Sequence, residues 1–113
     1  MTKEEQIEAV KQDGHAIKDI SNPNKEVQLE AVKQKGDAIF FIKTPDKEVQ
    51  LEAVKKDGYA IKYITNPDRE IQIEAIKREK FSDSIVRYCE QFKEYKEYAG
   101  WIDSVIKVKE VLG

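Results

Sequence analysis

Apolar positions recur along this chain on two scales. Within KEVQLEAVKK, residues 47–56, the side chains of Val49, Leu51, Ala53 and Val54 spread over about half the circumference of a helix at ~100° per residue. A helix packed on one side needs a narrower stripe, so this one must meet both a partner in its own unit and the units on either side. Along the whole chain the same pattern returns. With Pro23, Pro45 and Pro67 in one column, the residues after them fall into register at a 22-residue period, and the chain start forms an earlier copy. Gln6, Gln28, Gln50 and Gln72 share a column, as do Ala9, Ala31, Ala53 and Ala75, and Lys11, Lys33, Lys55 and Lys77. A short fixed period marks a solenoid, whose unit cannot bury its apolar side alone and stacks on its neighbours to do so.

The unit has a readable grammar. Asn-Pro or Thr-Pro predicts a helix start, with the cap before a proline at the first helical position, where the missing N–H costs nothing. Gly14, Gly36 and Gly58 are predicted to end the long helix in the left-handed conformation. Tyr59 to Thr65 then predicts a second helix of about two turns, with Ala60, Ile61 and Ile64 on one face, too short to be stable without tertiary packing. The fold class that follows is all-α: a short right-handed solenoid of four units over residues 1–80, each unit a long helix, a glycine turn and a short helix. Glu30 and Lys33, Glu52 and Lys55, and Glu74 and Lys77 stand three apart and are expected to pair along each long helix. The glutamine column is either a ladder of side-chain hydrogen bonds along the solenoid or a solvated row.

From Phe81 the repeat gives way to FSDSIVRYCEQFKEYKEYAGWIDSVIKVKEVLG, read as two helices of the same domain that close the solenoid over residues 81–113. Ser82 or Asp83 can cap a helix in which Ile85, Cys89 and Phe92 recur, with Tyr88, Tyr95 and Ala99 on an adjoining stripe and Gly100 as the stop. A last helix from about Ile102 carries Ile102, Val105, Ile106, Lys109 and Leu112 on one side. Solenoids need an atypical unit over their apolar ends, so capping is one reading of this segment. The other is that Tyr95, Tyr98 and Trp101 form a sticky surface for a partner protein or for a second copy, as aromatics do at interfaces.

Composition narrows the function. Lys and Arg total 20 against 22 Asp and Glu, with the signs interspersed, which counts against nucleic acid or anionic lipid as a partner. No apolar run approaches the ~20 residues that cross a bilayer, and MTKEEQIEAV has no signal-peptide core, so the expectation is a soluble cytoplasmic protein. His15 is the only histidine and Cys89 the only cysteine, in different segments, which predicts neither a metal site nor a Cys–His nucleophile. The glycines are a repeat period apart and form no phosphate-cradling loop. The expected protein is non-enzymatic, without cofactor or metal.

The pattern V-Q-L-E-A-V-K-x-x-G-x-A-I after P-N-K-E or P-D-K-E resembles a short α-helical repeat family of unknown function, common in phage, prophage and bacterial proteins. It is also similar to leucine-rich variant repeats. The resemblance covers residues 1 to about 79; unit one departs with Met1 and Glu5 at the Pro and Val positions, and unit four with Lys80 in place of the turn glycine. It implies architecture and carries no catalytic residues. It also implies one concrete role, a phage-encoded, anti-CRISPR-like inhibitor that occupies the working surface of a host defence nuclease.

A repeat supplies its own control, because recurring columns serve the stacking and varying columns are free of it. In the short helix the varying columns are His15, Asp37 and Tyr59; Lys18, Phe40 and Lys62; and Asp19, Phe41 and Tyr63. Phe40 replaces lysine on both sides, so an outward aromatic centre with a charged rim is expected there, the arrangement of a protein-binding hot spot. The competing expectation is that Phe41 and Tyr63 pack inward on the C-terminal helices. Partner binding by these residues and by Tyr95, Tyr98 and Trp101 is the leading reading. Nucleic-acid binding through Tyr59, Tyr63 and Lys62, and self-association through the C-terminal helices, are the alternatives.

Overall fold

The computed structural model describes residues 1–92, together with the isolated positions Ser104, Lys107, Glu110 and Val111. Four ten-residue α-helices, α1 (Lys3–Gln12), α2 (Lys25–Gln34), α3 (Lys47–Lys56) and α4 (Arg69–Arg78), alternate with three 3-10 helices, η1 (Gly14–Asp19), η2 (Gly36–Phe41) and η3 (Gly58–Tyr63). A fifth α-helix, α5 (Asp83–Glu90), follows, and the described residues contain no strand. Each α-helix packs on the next α-helix, and each 3-10 helix packs on the next 3-10 helix, on its own α-helix and on that of the following unit. The result is a helical-repeat solenoid of two rows with the core between them. Val10, Val32, Val54 and Ile76 form one buried column of that core and Ile17, Ile39 and Ile61 another. Sealing each such side chain from water contributes on the order of 1.5–3 kcal/mol.

The short helix is a 3-10 helix and not two α-turns. Its recurring buried residues stand three apart, Gly14, Ile17 and Ile20 in the first unit, then Gly36, Ile39 and Ile42, then Gly58, Ile61 and Ile64, and the small side chains of Ala38 and Ala60 are buried beside them. Three residues per turn keep those positions eclipsed on one face, whereas α-helical geometry would rotate them apart.

The glycines are needed for closeness and not for handedness. Gly14, Gly36 and Gly58 have no left-handed φ; a Cβ on Gly14 would stand 2.5 Å from the carbonyl oxygen of Ala31, and one on Gly36 the same distance from that of Ala53. Each glycine therefore lies on the backbone of the next unit, at its alanine column. Left-handed backbone occurs instead at Asn22 and Asn66, before the prolines, and at Lys80 and Phe81, where the repeat ends.

Three further expectations are corrected. The prolines precede the caps and do not open the helices: Asn24, Asp46 and Asp68 are the N-caps, accepting from the N–H of Val27, Val49 and Ile71 at 3.0 Å each. A cap carboxylate or amide so placed satisfies one of the orphan donors of the first turn. The glutamines form neither ladder nor solvated row, since Gln28, Gln50 and Gln72 each donate from Nε2 to the carbonyl of Pro23, Pro45 and Pro67 of their own unit. Finally, Glu30 and Lys33, Glu52 and Lys55, and Glu74 and Lys77 do not pair along their helices, and the ion pairs at the helix starts cross between units: Lys3 pairs with Glu26, Lys25 with Glu48 and Lys47 with Glu70. Lys25 and Lys47 also reach the cap carboxylates of Asp46 and Asp68, at 3.3 and 3.4 Å. The hydrogen bonds to those glutamates hold all three ammonium groups above their usual pKa. A lysine opening one helix thus meets an acid opening the next.

Both ends depart from the repeat chemically. In unit one Glu5 takes the column of the buried Val27, and it closes a capping box with Thr2, whose Oγ1 accepts from Glu5 N–H while Glu5 Oε1 accepts from Thr2 N–H. In unit four Glu79 Oε2 accepts from Gly58 N–H at 2.8 Å, and Arg78 Nε donates to the carbonyl of Lys55 at 3.0 Å, at the C-terminal end of α3. α5 then packs on α4 and η3, burying the expected Ile85 and Cys89 together with Val86; it ends at Glu90, before the expected stop at Gly100, and the expected Phe92 is buried in the turn that follows. Of the expected last helix from Ile102 only Ser104, Lys107, Glu110 and Val111 are described, all helical and exposed, and the stripe positions Tyr95 and Ala99 lie outside the described residues.

Gly36→Ala is expected to destabilise the chain by about 1–3 kcal/mol, because the added methyl overpacks a backbone contact. Gly36→Asn, which a left-handed turn would accept, is expected to cost at least as much; urea unfolding followed by circular dichroism measures both. The Asp46 carboxyl sits below its usual pKa because the Val49 N–H, and then Lys25, favour its charged form. Asp13 and Glu5 are lowered likewise by the His15 and Thr2 N–H groups. Groups lowered on folding stabilise at neutral pH and lose that contribution as pH falls from about 4 through their folded pKa. Urea midpoints should therefore drop between pH 6 and pH 2. Asp46→Asn, which keeps a cap, should flatten that drop, while Asp46→Ala should cost ~1 kcal/mol at pH 7.

Candidate functional site

The eclipsed geometry of the 3-10 row decides which side chains are left outside. With every third residue turned inward, the last two positions of each 3-10 helix, Lys18 and Asp19, Phe40 and Phe41, and Lys62 and Tyr63, are left exposed, and stacking sets those of successive units side by side. Phe40 is 62% exposed, Tyr63 48%, Tyr59 39% and Phe41 38%, so the second unit's two phenylalanines are not packed inward and neither is Tyr63. Phe40 meets Phe41 edge-to-face with ring centroids 5.2 Å apart, and meets Tyr63 of the next unit in the same way at 5.2 Å. On the other side Phe41 meets the ring of His15 at 5.8 Å. A continuous aromatic strip, His15–Phe41–Phe40–Tyr63, therefore crosses three units, in the edge-to-face arrangement that aromatic quadrupoles favour.

Polar contacts anchor the strip at its ends. His15 Nε2 donates to Asp37 Oδ1 at 2.6 Å, joining the first unit to the second. Its backbone N–H donates to Asp13 Oδ1, the cap of η1, and Lys35 reaches the same carboxylate at 3.4 Å. In the third unit Lys62 Nζ lies 5.4 Å from the centre of the Tyr59 ring, a cation–π contact, and the Tyr59 hydroxyl shares a hydrogen bond of 3.1 Å with Ser82 Oγ. Tyr59 and Lys62 thus form a second group, tied toward α5.

The structure brings together His15, Asp37, Phe40, Phe41 and Tyr63, and places Tyr59 and Lys62 beside each other. Lys18 lines a cleft whose wall includes Phe41, and Asp19 is exposed in η1 without sharing in these contacts. Tyr95, Tyr98 and Trp101 lie outside the described residues. Sequence reasoning missed Lys43, which shares the cleft with Lys18. The signal was present, since Lys43 stands where the other units have Ser21 and Thr65, but that column lies in the bend after the 3-10 helix rather than within it.

Cys89 is buried in α5, and desolvation pushes its thiol up to about 12, so it is held protonated and away from solvent. His15 is in η1, bonded to Asp37, and the two do not form a pair. Among the described residues no cluster of His, Cys, Asp or Glu could hold a metal ion, and no helix is long and apolar enough to cross a membrane.

The division between scaffold and strip can be measured. Ile39→Ala empties a fully buried site and is expected to cost ~2–5 kcal/mol. Phe40→Ala, next to it in sequence, is expected to change the unfolding free energy by no more than about 0.5 kcal/mol. Denaturant titration of both variants decides the matter.

A family model described as a domain of unknown function (DUF4116) matches residues 46–93, which contain α3, η3, α4 and α5. Over those residues the chain is similar to that family. No curated protein and no solved structure matches the chain. The matched stretch includes Tyr59, Lys62 and Tyr63 and leaves out His15, Asp37, Phe40 and Phe41, so the similarity concerns the scaffold more than the strip.

Proposed function

We propose that this chain is a non-enzymatic protein-binding module of the cytoplasm, which docks another protein on the aromatic strip of its 3-10 row. One observation carries the reading: Phe40 stands exposed between Phe41 and Tyr63 in a column where the neighbouring units place lysine. The stacking does not require a phenylalanine there, and exposing one to water is unfavourable unless something covers it. Rings held edge-to-face by their neighbours lose little rotamer freedom on binding, which favours tight contact. Lys62, Asp37 and His15 supply the charged rim that excludes water around an apolar centre. The resemblance to phage and prophage repeat proteins supports a narrower form, a small inhibitor that covers a working surface of a host defence nuclease.

The experiment is affinity capture with the tagged chain from cells that produce it, with Phe40→Asp as the control, followed by calorimetry with the recovered protein. The expected result is a partner that Phe40→Ala weakens by at least ~1.5 kcal/mol while thermal unfolding stays unchanged. Equal capture by wild type and Phe40→Asp overturns the reading. So does a nucleic-acid ligand bound in place of protein with an affinity that falls steeply with salt.

A further inference from the structure

Between η1 and the bend that follows η2 lies a half-open cleft of about 630 Å³. Its apolar lining comes from the repeat: Ile20 and Ile42 are the last inward residues of their units and each retains 8% exposure. Pro23 and Gln28 of the recurring columns line it too, with Ser21 and Asn22, and its cations come from varying columns. Lys18 and Lys43 both line the cleft, no acidic side chain does, and neither lysine has an ion-pair partner among the described residues. Thr44 adds a hydroxyl, and Phe41 belongs both to the cleft and to the aromatic strip. Two unpaired ammonium groups in a mainly polar cleft, with the edges of two isoleucines at its floor, match one ligand chemistry well: a carboxylate on a short apolar stem. The stem lies on the isoleucines and the carboxylate accepts from the lysines, in charge-assisted hydrogen bonds. A phosphate backbone would leave the isoleucines unused.

We infer that this cleft seats an acidic side chain, foremost a glutamate, of the same partner segment whose apolar residues cover Phe40 and Tyr63. The inference rests on the protein-binding reading above and specifies the partner as an acidic, aromatic or aliphatic peptide segment. Phe41 links the two sites, so one extended segment or one helix face reaches both.

Selection of displayed random peptides on the full chain tests it, with Lys18→Glu/Lys43→Glu, Phe40→Ala and the combined Lys18→Glu/Lys43→Glu/Phe40→Asp as counter-targets. The lysines are exposed, and circular dichroism checks that each variant is folded. Enriched peptides should carry Glu or Asp close to an aromatic or aliphatic residue. They should lose about tenfold or more in affinity on the lysine double variant, the scale of lost charge-assisted hydrogen bonds. Amide shifts on binding should include Lys18, Lys43 and Thr44. Enriched peptides that lack acidic residues, lose affinity on Phe40→Ala and ignore the lysine reversal would overturn the acidic-segment inference and leave the protein-binding reading standing. Enrichment no greater on wild type than on the combined variant would overturn both.

Discussion

The whole molecule depends on a backbone contact between units. Each turn glycine lies against the alanine carbonyl of the next unit, at a separation that leaves no room for a Cβ. That closeness brings one 3-10 helix onto the next and lets the isoleucines of η1, η2 and η3 reach a common core with the valines of the α-row. Because the unit is short, its own contacts cannot offset the conformational entropy of ordering it; the interface with its neighbour must supply the difference. A larger residue at the glycine would therefore affect the stacking and not just the turn.

Charge reinforces this stacking without driving it. The lysine that opens one helix reaches the acid that opens the next, so the pairing repeats only when units are parallel and in register. Exposed pairs of this kind contribute little singly, and each joins a lysine to the acid one position beyond its own column in the next unit. The ends are handled by different chemistry. Glu5 replaces a core valine and is used in a capping box, while Arg78 and Glu79 turn back onto α3 and Gly58 before α5 covers the other end. Each device satisfies backbone N–H or C=O groups near an end of the repeat.

The row of 3-10 helices is what makes a surface available. An α-helix of the same six residues would have fanned its recurring isoleucine and glycine positions over a wider arc, whereas three residues per turn align them on one edge. The outer positions are then unconstrained by packing. In the middle unit they are phenylalanines, in contact across units with His15 and Tyr63, and the neighbouring cleft adds Lys18 and Lys43. Such a surface combines rigid aromatic area with unpaired cations, both of which gain from a protein partner.

Much of this was legible from residues alone. The 22-residue period, the long helices, the buried valine, alanine and isoleucine columns and the apolar face of α5 follow from spacing, because burial on a repeating helix demands it. So does the outward placement of Phe40, since a column that tolerates lysine on both sides cannot be a core position. Other features needed three dimensions. The spacing of Gly36, Ile39 and Ile42 is compatible with more than one helix type, and the packing of adjacent units selected the 3-10 form. Glycine serves left-handed turns and close approaches equally well, and only the position of the Ala53 carbonyl distinguishes them. The glutamates could pair along their helix or across to the next, and the distance between units settled that for Glu48 and Glu70. Lys18 and Lys43 are remote in sequence and become neighbours only through stacking. A chain determines by itself which positions avoid water, since that depends on residue type and period; which polar groups meet across units depends on distances that exist only once the units are packed.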